Sequence, residues 1–315
     1  METFEQFMTH CLHDPVKGYY ARNIQGIGNR GDFTTAPQIS QAPAAAIASW
    51  AACALRKTGC RHLIEVGPGL GTLAKDVFRK LPLTLRLRTS LHLVESSPAL
   101  SRCQKNLLKN RAYHHSSIHS ALEACQGNAV IYSNELVDAF PVRLFQKTDD
   151  GWQEIALAPN GDLKKEILLA TGKLPSSSIF QRKFAIGQRV EIHDSYRLWL
   201  ESWLPHWKKG EMLTIDYGDT VDRLYHRQPR GSLRAYLLHQ RLEGEAVYGN
   251  PGMQDITADV NFTDLVEWSE PWMETPELTN FADFIRPFSE MEDPLPAESA
   301  SYFQALKQQR ITNPP

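Results

Sequence analysis

The feature that most constrains the fold is a strand-like run that ends in a turn with three glycines. His62–Val66 is short and mostly apolar, as buried strands are. Gly67, Gly69 and Gly71 follow at alternate positions, and Thr72–Leu81 then repeats apolar residues three and four apart. That spacing predicts a helix. Glycines let the turn adopt positive φ and let a ligand approach the backbone, so the stretch predicts a strand, a binding turn and a helix.

The alternation of strand and helix continues along the chain. Leu91–Glu95 predicts a second strand, after which Ser97 suits an N-cap and Pro98 the first position of a helix. Ala129–Ser133 and Met212–Ile215 predict two more buried strands. Such alternation is typical of a mostly parallel sheet covered by helices on both faces. We therefore expect a Rossmann-like α/β core.

The length of 315 residues allows one elaborated α/β domain or two ordinary ones. Residues 1–60 predict an N-terminal extension that combines helices with a glycine-rich, lid-like loop. Residues 61–147 and 190–315 are assigned to the Rossmann-like core. Residues 148–189 predict an inserted hairpin, because strand-like alternation flanks a cluster of turn residues. Within the core, residues 219–255 are rich in Arg, His and Gly and predict a long functional loop with some sheet in it.

Aromatic residues mark the less regular C-terminal half. Trp199, Trp203 and Trp207 are four residues apart on a helix predicted from Asp194. An aromatic cofactor box is one interpretation, but such stripes are more often core, and we expect core. Phe303–Leu306 is compatible with either a closing strand or a helix.

Composition and charge exclude several functional classes. A net charge of -2 provides no general attraction for nucleic acid or anionic lipid. No run approaches the roughly 18 apolar residues needed to cross a bilayer, and the N-terminus lacks the basic and apolar regions of a signal peptide. We expect no nucleic-acid partner, no membrane insertion and a cytoplasmic location. The oligomeric state is not predicted.

Cysteine and histidine spacing gives no sign of a metal site. The five cysteines are scattered, odd in number and without a C-x-x-C pair, which disfavours both a disulfide framework and a zinc site. His10, His13, His114 and His115 are close in sequence but do not have metal-ligand spacing. We expect reduced thiols and no bound metal.

Two acids indicate which ligand the glycine turn binds. Glu65 begins an acid-x-G-x-G-x-G pattern, and Thr72 stands where a dinucleotide fingerprint would have its last glycine. Glu95 ends the next strand, where a carboxylate can accept both hydroxyl hydrogens of a ribose. The alternatives are a purely conformational turn and a carboxylate stabilised by a helix dipole. Together the glycine turn, Glu65 and Glu95 predict a nucleoside site. Asn134, at the end of a neighbouring strand, is also predicted to bind the cofactor.

Three further acids are candidates for the reacting end of the site. Glu135 and Asp138 are three residues apart, so a helical start after the strand would place both carboxylates on one face. Acids at the mouth of a nucleotide site suit a cationic or hydrogen-bond-donating nucleophile. The alternative is a solvated first turn, where acids are favoured anyway. Asp216, the third candidate, follows the strand at 212–215.

Asp32 belongs to the predicted cofactor-binding residues. It lies in a loop that is either a lid over the cofactor or an ordinary turn.

Several stretches together resemble one family, the MidA-type methyltransferases. The matching stretches are Gly18–Tyr20, Gly31–Ser40, Ile64–Leu73, Leu93–Pro98, Asn134–Pro141, Asp216–Gly218 and Asp255–Phe262. The mitochondrial relatives in that family are protein-arginine methyltransferases and respiratory complex I assembly factors. The positions that depart from the family pattern are Gln38, Leu70, Leu136 and Val137. They bear on substrate choice more than on cofactor binding, since the glycines and the ribose-binding acid are retained.

The resemblance implies a class I methyltransferase sheet, S-adenosylmethionine as cofactor, and an arginine side chain of a protein substrate as methyl acceptor. In that scheme Glu135 holds the guanidinium, with Asp138 or Asp216 in support. Two other functions stay open at this point. One is a noncatalytic assembly factor that binds a client protein, and the other is a methyltransferase for a small molecule.

Overall fold

The computed structural model describes residues 1–22, 40–161, 163–238, 240–289 and 302–311. The strands are β1 (Glu2–Thr3), β2 (His62–Val66), β3 (Ser90–Val94), β4 (Tyr113–His115), β5 (Val130–Asn134), β6 (Arg143–Thr148), β7 (Gly151–Asn160), β8 (Leu163–Ala170), β9 (Arg189–Ile192), β10 (Glu211–Asp219), β11 (Arg234–Leu237), β12 (Gln240–Glu243), β13 (Asp255–Thr257), β14 (Val260–Asn261), β15 (Met273–Asn280) and β16 (Phe303–Arg310). The α-helices are α1 (Phe4–His13), α2 (Tyr19–Arg22), α3 (Ala42–Thr58), α4 (Thr72–Lys80), α5 (Leu83–Arg86), α6 (Pro98–Leu108), α7 (Ile118–Ala124), α8 (Asp194–Trp203), α9 (Val221–Arg227), α10 (Phe262–Ser269) and α11 (Phe281–Ile285). Within these ranges, every helix is too short or too polar to span a membrane.

The chain forms two compact units. The core unit consists of Thr34–Leu136, Leu200–Tyr217 and Ser269–Pro315, and the accessory unit consists of Met1–Phe33, Val137–Trp199 and Gly218–Trp268. The units divide the chain differently from the predicted domains. The N-terminal helix and the stretch after β10 join the predicted insertion in the accessory unit, because α1 packs on β6, β7 and β13.

The core unit is built on one mixed sheet with the strand order β15-β16-β10-β5-β2-β3-β4. Neighbouring strands among β4, β3, β2, β5 and β10 pair in parallel. In contrast, β16 is antiparallel to both β10 and β15. The predicted α/β fold with a mostly parallel sheet is confirmed. Parallel strands bring their carboxyl ends to one edge, which is where open α/β sheets bind ligands.

Apolar side chains from strands and helices form the interior of the core unit. Leu63, Leu93 and Tyr132 lie on one face of the sheet and pack with α3 and α4. The alanine-rich sequence of α3 suits both a helix and close packing on a sheet. Trp203 and Trp207 are fully buried, so the predicted core role of these two tryptophans is confirmed.

The accessory unit contains two antiparallel sheets. One has the order β1-β7-β6-β9 with β8 added to β7, and the other has the order β12-β11-β13. A buried cluster that includes Phe4, Met8, Leu144 and Ile155 joins α1 to the first sheet. The predicted long loop at 219–255 proved more regular than expected, because α9 precedes the three strands of the second sheet.

Candidate active site

The glycine turn lies between β2 and α4, and its glycines have different environments. Gly67, Gly69 and Gly71 have φ angles of 67°, 53° and 81°, in the left-handed region that favours glycine. The Gly67 N–H donates 3.0 Å to the Val94 carbonyl, and a Cβ at Gly67 would lie 2.6 Å from the Leu136 side chain. A Cβ at Gly69 would meet no described atom within 4 Å. Gly67 therefore packs against protein, whereas Gly69 borders open space that a ligand can enter.

A buried glutamine on α6 connects this turn to the predicted ribose-binding acid. The Gln104 Nε2 donates 2.7 Å to the carbonyl of Gly69 and lies 3.4 Å from Glu95 Oε2. Our sequence reasoning missed this residue. Its signal was available, because Gln104 stands between Leu100 and Leu108 on the apolar stripe of the helix, and a polar side chain there needs a partner.

Glu95 follows directly after β3, at the sheet edge where the turn begins. Its Oε1 accepts a 2.8 Å hydrogen bond from the N–H of Ser97, the residue that caps α6 as predicted. Burial raises the pKa of Glu95 to about 7, because the ionised form loses hydration. Each carboxylate oxygen has two lone pairs, so acceptor positions remain for the hydroxyls of a ribose.

Glu65 is almost wholly buried at the end of β2. The Tyr132 hydroxyl on the adjacent strand donates 2.8 Å to Glu65 Oε2, and the two residues are direct neighbours in the parallel register. Burial raises the pKa of Glu65 to about 8. The carboxyl thus supports the sheet beneath the turn, while direct contact with a cofactor stays a prediction. Asp32, the other acid assigned to the cofactor, lies outside the described residues.

Glu135 leaves β5 in a strained backbone conformation. Its φ is 53°, which is uncommon for any residue other than glycine, and such strain is concentrated at functional sites. Its N–H donates 3.0 Å to the Ile215 carbonyl, and the Asn134 side-chain amide donates 3.0 Å to its Oε1. The expected helical start, which would place Glu135 and Asp138 on one face, is wrong. Residues 135–140 form turns and bends, because the left-handed conformation redirects the chain.

Asp216 fixes the backbone that follows Glu135. It is fully buried, and its Oδ2 accepts a 3.1 Å hydrogen bond from the Leu136 N–H. Its Oδ1 accepts from the Tyr217 N–H at 2.9 Å. These bonds give Asp216 a positioning role at the edge of the sheet, and contact with an acceptor stays a prediction.

Asp138 belongs to the accessory unit and has neighbours of its own. Burial raises its pKa to about 6, opposed by the charge of Arg234 and reinforced by that of Asp259. Arg234 and Asp259 form an ion pair, and the Ala258 N–H donates 3.1 Å to the Asp138 carbonyl. Asp138 is thus part of a buried charged group, and its predicted catalytic role stays a prediction.

A family profile matches most of the chain and covers the whole glycine turn. The profile, described as "Putative S-adenosyl-L-methionine-dependent methyltransferase", matches residues 46–274. The chain belongs to this family. S-adenosylmethionine is therefore the cofactor, and its binding at the glycine turn and Glu95 stays a prediction.

Curated proteins and solved structures similar to this methyltransferase family member include eukaryotic and bacterial chains. Protein arginine methyltransferase NDUFAF7, mitochondrial, of Danio rerio is 29% identical over 82% of this chain and 66% of its own length. The Caenorhabditis elegans homologue is 30% identical over 82% and 66%, respectively. The chain thus spans just under two thirds of the length of the curated relatives it matches. A Burkholderia thailandensis protein solved with S-adenosyl-homocysteine has a TM-score of 0.81 at 24% identity, over 98% of this chain and 87% of that chain.

The residues of the core unit fit this cofactor. The space beside Gly69 is open among the described residues, so the polar end of the molecule can approach the backbone of the turn. Glu95 would accept the ribose hydroxyls, and Gln104 contacts both its carboxylate and the turn. Glu135 lies at the end of β5, the strand next to β2, at the same carboxyl edge of the sheet.

Proposed function

We propose that this chain is a protein-arginine N-methyltransferase that uses S-adenosylmethionine. The names of the relatives support an arginine acceptor, although the chain spans only part of their length. The observation that carries the proposal is the strained Glu135, whose N–H donates to the Ile215 carbonyl and whose carboxylate accepts from the Asn134 amide. Its carboxylate supplies the charge that a guanidinium requires.

The chemistry of arginine explains why a fixed carboxylate matters. A guanidinium stays protonated at physiological pH, so its nitrogens are poor nucleophiles while the positive charge is shared among them. Glu135 would bind the two nitrogens that do not react and draw the charge toward them. When bound, S-adenosylmethionine supplies a sulfonium methyl, so that the N–C bond forms as the S–C bond breaks and S-adenosylhomocysteine leaves. The reacting nitrogen then loses a proton to a carboxylate or to water.

Positioning is the main contribution of the protein in this scheme. Well-oriented reactants can gain up to ~7–11 kcal/mol relative to free ones in solution. Asp216 contributes by fixing the Leu136 N–H, and hence the backbone beside Glu135. A noncatalytic assembly factor would leave no labelled product in the transfer assay. A small-molecule methyltransferase is the second candidate, and the identity of the labelled product separates it from the first.

The test uses the purified 315-residue chain with radiolabelled S-adenosylmethionine and lysate from a strain that lacks the protein. We expect a labelled protein in which mass spectrometry locates methylated arginine. Glu135→Gln removes charge with little change in size, so transfer should fall by at least a hundredfold while affinity for S-adenosylhomocysteine stays within about twofold. Glu123→Gln, an exposed site on α7, is the matched control and should behave as wild type.

Two results would overturn the proposal. One is wild-type transfer by Glu135→Gln, which would remove the assigned role of this carboxylate. The other is a labelled small molecule in place of a labelled protein.

The cytoplasmic location predicted from the sequence stays a prediction, and the relatives are named as mitochondrial proteins.

A further inference from the structure

Three histidines form a diagonal row across the first three strands of the core sheet. They come from β2, β3 and β4, and the register places Ile64 beside His92 and Val94 beside His115. His62 shares the sheet face of Ile64, so all three rings lie on one face. His62 Nδ1 lies 3.1 Å from His92 Nε2, and His92 Nδ1 lies 3.0 Å from His115 Nε2. The central ring is thus held at both nitrogens.

A buried cysteine contacts the same central ring. Cys125 follows α7, which packs on β3 and β4, and its Sγ lies 3.7 Å from His92 Nε2. One donor atom each from His62, His92 and Cys125 lies within 4.8 Å of the other two. His92 and Cys125 are each 2% exposed, whereas His62 is half-buried. Three potential metal ligands therefore converge at the margin of the interior.

A pocket of about 320 Å³ opens beside this group. His62, Cys125 and Cys60 line it, so the pocket lies beside two of the three potential ligands. Arg61 and Lys209 also line the pocket, but both are exposed, and solvent screens their charge. The pocket has room for a water molecule as an additional ligand.

We propose that His62, His92 and Cys125 form a zinc site whose fourth position faces this pocket. Zinc bonds are about 2.0–2.1 Å long to nitrogen and about 2.3 Å long to sulfur, in tetrahedral geometry. In that geometry two zinc-bound nitrogens are about 3.3 Å apart, and a nitrogen and a sulfur are about 3.6 Å apart. The observed separations of 3.1 Å and 3.7 Å are close to these values. His115 holds the other nitrogen of His92, as the partners of metal-bound histidines do.

A row of hydrogen-bonded imidazoles is the alternative, and it explains the cluster less well. A ring nitrogen has one position, occupied either by a lone pair or by a hydrogen. Two neighbours, His62 and Cys125, lie near the single Nε2 of His92, so a hydrogen-bonded row would require two donors to share one lone pair, whereas a shared metal bonds each atom separately. On binding, zinc would displace the proton of the Cys125 thiol, as coordination of a thiol requires.

This site differs in position from the cofactor site and departs from our sequence-based expectation of no metal. His62 is the first residue of β2, and the glycine turn follows Val66, the last residue of that strand. Val66 lies four residues, or roughly 13 Å, further along the strand than His62. The ligands come from two strands and the end of a helix, so no local spacing motif could announce them. Bound zinc would join these segments and raise the stability of the core unit.

The experiment titrates the purified, metal-free 315-residue chain with Zn²⁺ by calorimetry and with Co²⁺ by absorption spectroscopy. We expect one ion per chain and a thiolate-to-cobalt charge-transfer band. Cys125→Ser should abolish that band and weaken Zn²⁺ binding by more than about a hundredfold. His62→Gln, at a half-buried site that tolerates substitution better, should weaken Zn²⁺ binding comparably while circular dichroism shows an intact fold.

Matched substitutions separate this site from nonspecific metal binding. Cys53→Ser and His226→Gln change exposed residues of the same types and should leave affinity, stoichiometry and the cobalt spectrum unchanged. Absence of stoichiometric Zn²⁺ binding to the wild type would overturn the proposal. So would a cobalt-thiolate band that persists in Cys125→Ser. Neither result depends on methyl transfer.

Discussion

The side-chain amide of Gln104 donates a 2.7 Å hydrogen bond to the carbonyl oxygen of Gly69. The same nitrogen lies 3.4 Å from Glu95, so one buried side chain sets the distance between the two parts of the nucleoside site. A glycine turn is intrinsically adaptable. We infer that Gln104 keeps this turn in its binding conformation before the cofactor arrives.

Gln104→Met keeps the length of the side chain and removes the donor. Affinity for S-adenosylhomocysteine should fall up to about tenfold, since a hydrogen bond between neutral groups contributes about 0.5–1.5 kcal/mol and about 1.4 kcal/mol is tenfold in affinity. Calorimetry measures the change. Gln308→Met makes the same replacement at a buried glutamine on β16, which donates 2.6 Å to Ser269, and it should leave affinity unchanged. Equal effects of the two variants would contradict a positioning role for Gln104.

Cofactor affinity should depend on pH through Glu95, whose pKa burial raises to about 7. The ribose hydroxyls require the ionised acceptor, so affinity for S-adenosylhomocysteine should fall about tenfold between pH 8 and pH 6. Glu95→Gln should bind more weakly and lose this dependence. For the unliganded protein the sign is opposite. A raised acid pKa contributes stability at low pH that is lost as pH rises through about 7.

Gly69→Ala tests whether the open space beside the turn belongs to the cofactor. The added methyl meets no described atom within 4 Å, so only the left-handed backbone, at about 1–2 kcal/mol, should reduce stability. Binding of S-adenosylhomocysteine should fall by more than tenfold, because the methyl occupies the ligand's space. Gly244→Ala, with a φ of 60° and equally open surroundings, should lower the melting temperature comparably and bind normally.

The accessory unit depends on a buried carboxylate, Asp264. It accepts hydrogen bonds of 2.7 Å from the Ser177 hydroxyl, and of 2.7 Å and 2.6 Å from the Ser178 N–H and hydroxyl. Asp264→Ala should lower the free energy of unfolding by about 3 kcal/mol, because buried donors lose their acceptor. Urea denaturation measures this loss. Cofactor affinity at temperatures where the variant is folded should not change, since the glycine turn belongs to the core unit.

Local sequence patterns correctly predicted the elements whose structure depends mainly on residues close to one another in the sequence. β2 begins and ends at the predicted residues, and Ser97 and Pro98 begin α6 as their capping and backbone preferences indicate. A run of apolar residues bounded by a glycine turn leaves few alternatives. The same patterns correctly placed Glu95 at the end of the second strand, while its role in ribose binding stays a prediction.

Features that depend on tertiary contacts were missed. β15 is mostly exposed and has no alternating pattern, so its pairing with β16 follows from the neighbouring strand rather than from its own residues. The left-handed backbone of Glu135 has no signature in residue type, since glutamate rarely adopts it. The histidine and cysteine ligands of the proposed zinc site are distant in sequence and meet only when the sheet forms.

The position of β16 has a consequence for how the protein is synthesised. This strand lies between β10 and β15 and is translated after every other strand of the core sheet. Before Phe303–Arg310 has been synthesised, β5 and β10 can pair, but the far edge of β10 and the whole of β15 lack their hydrogen-bonding partner. Exposed edges of this kind can pair with other chains. Before Phe303–Arg310 emerges, the edge of β10 and the whole of β15 are therefore unpaired, and this is when binding by chaperones protects the chain most from aggregation.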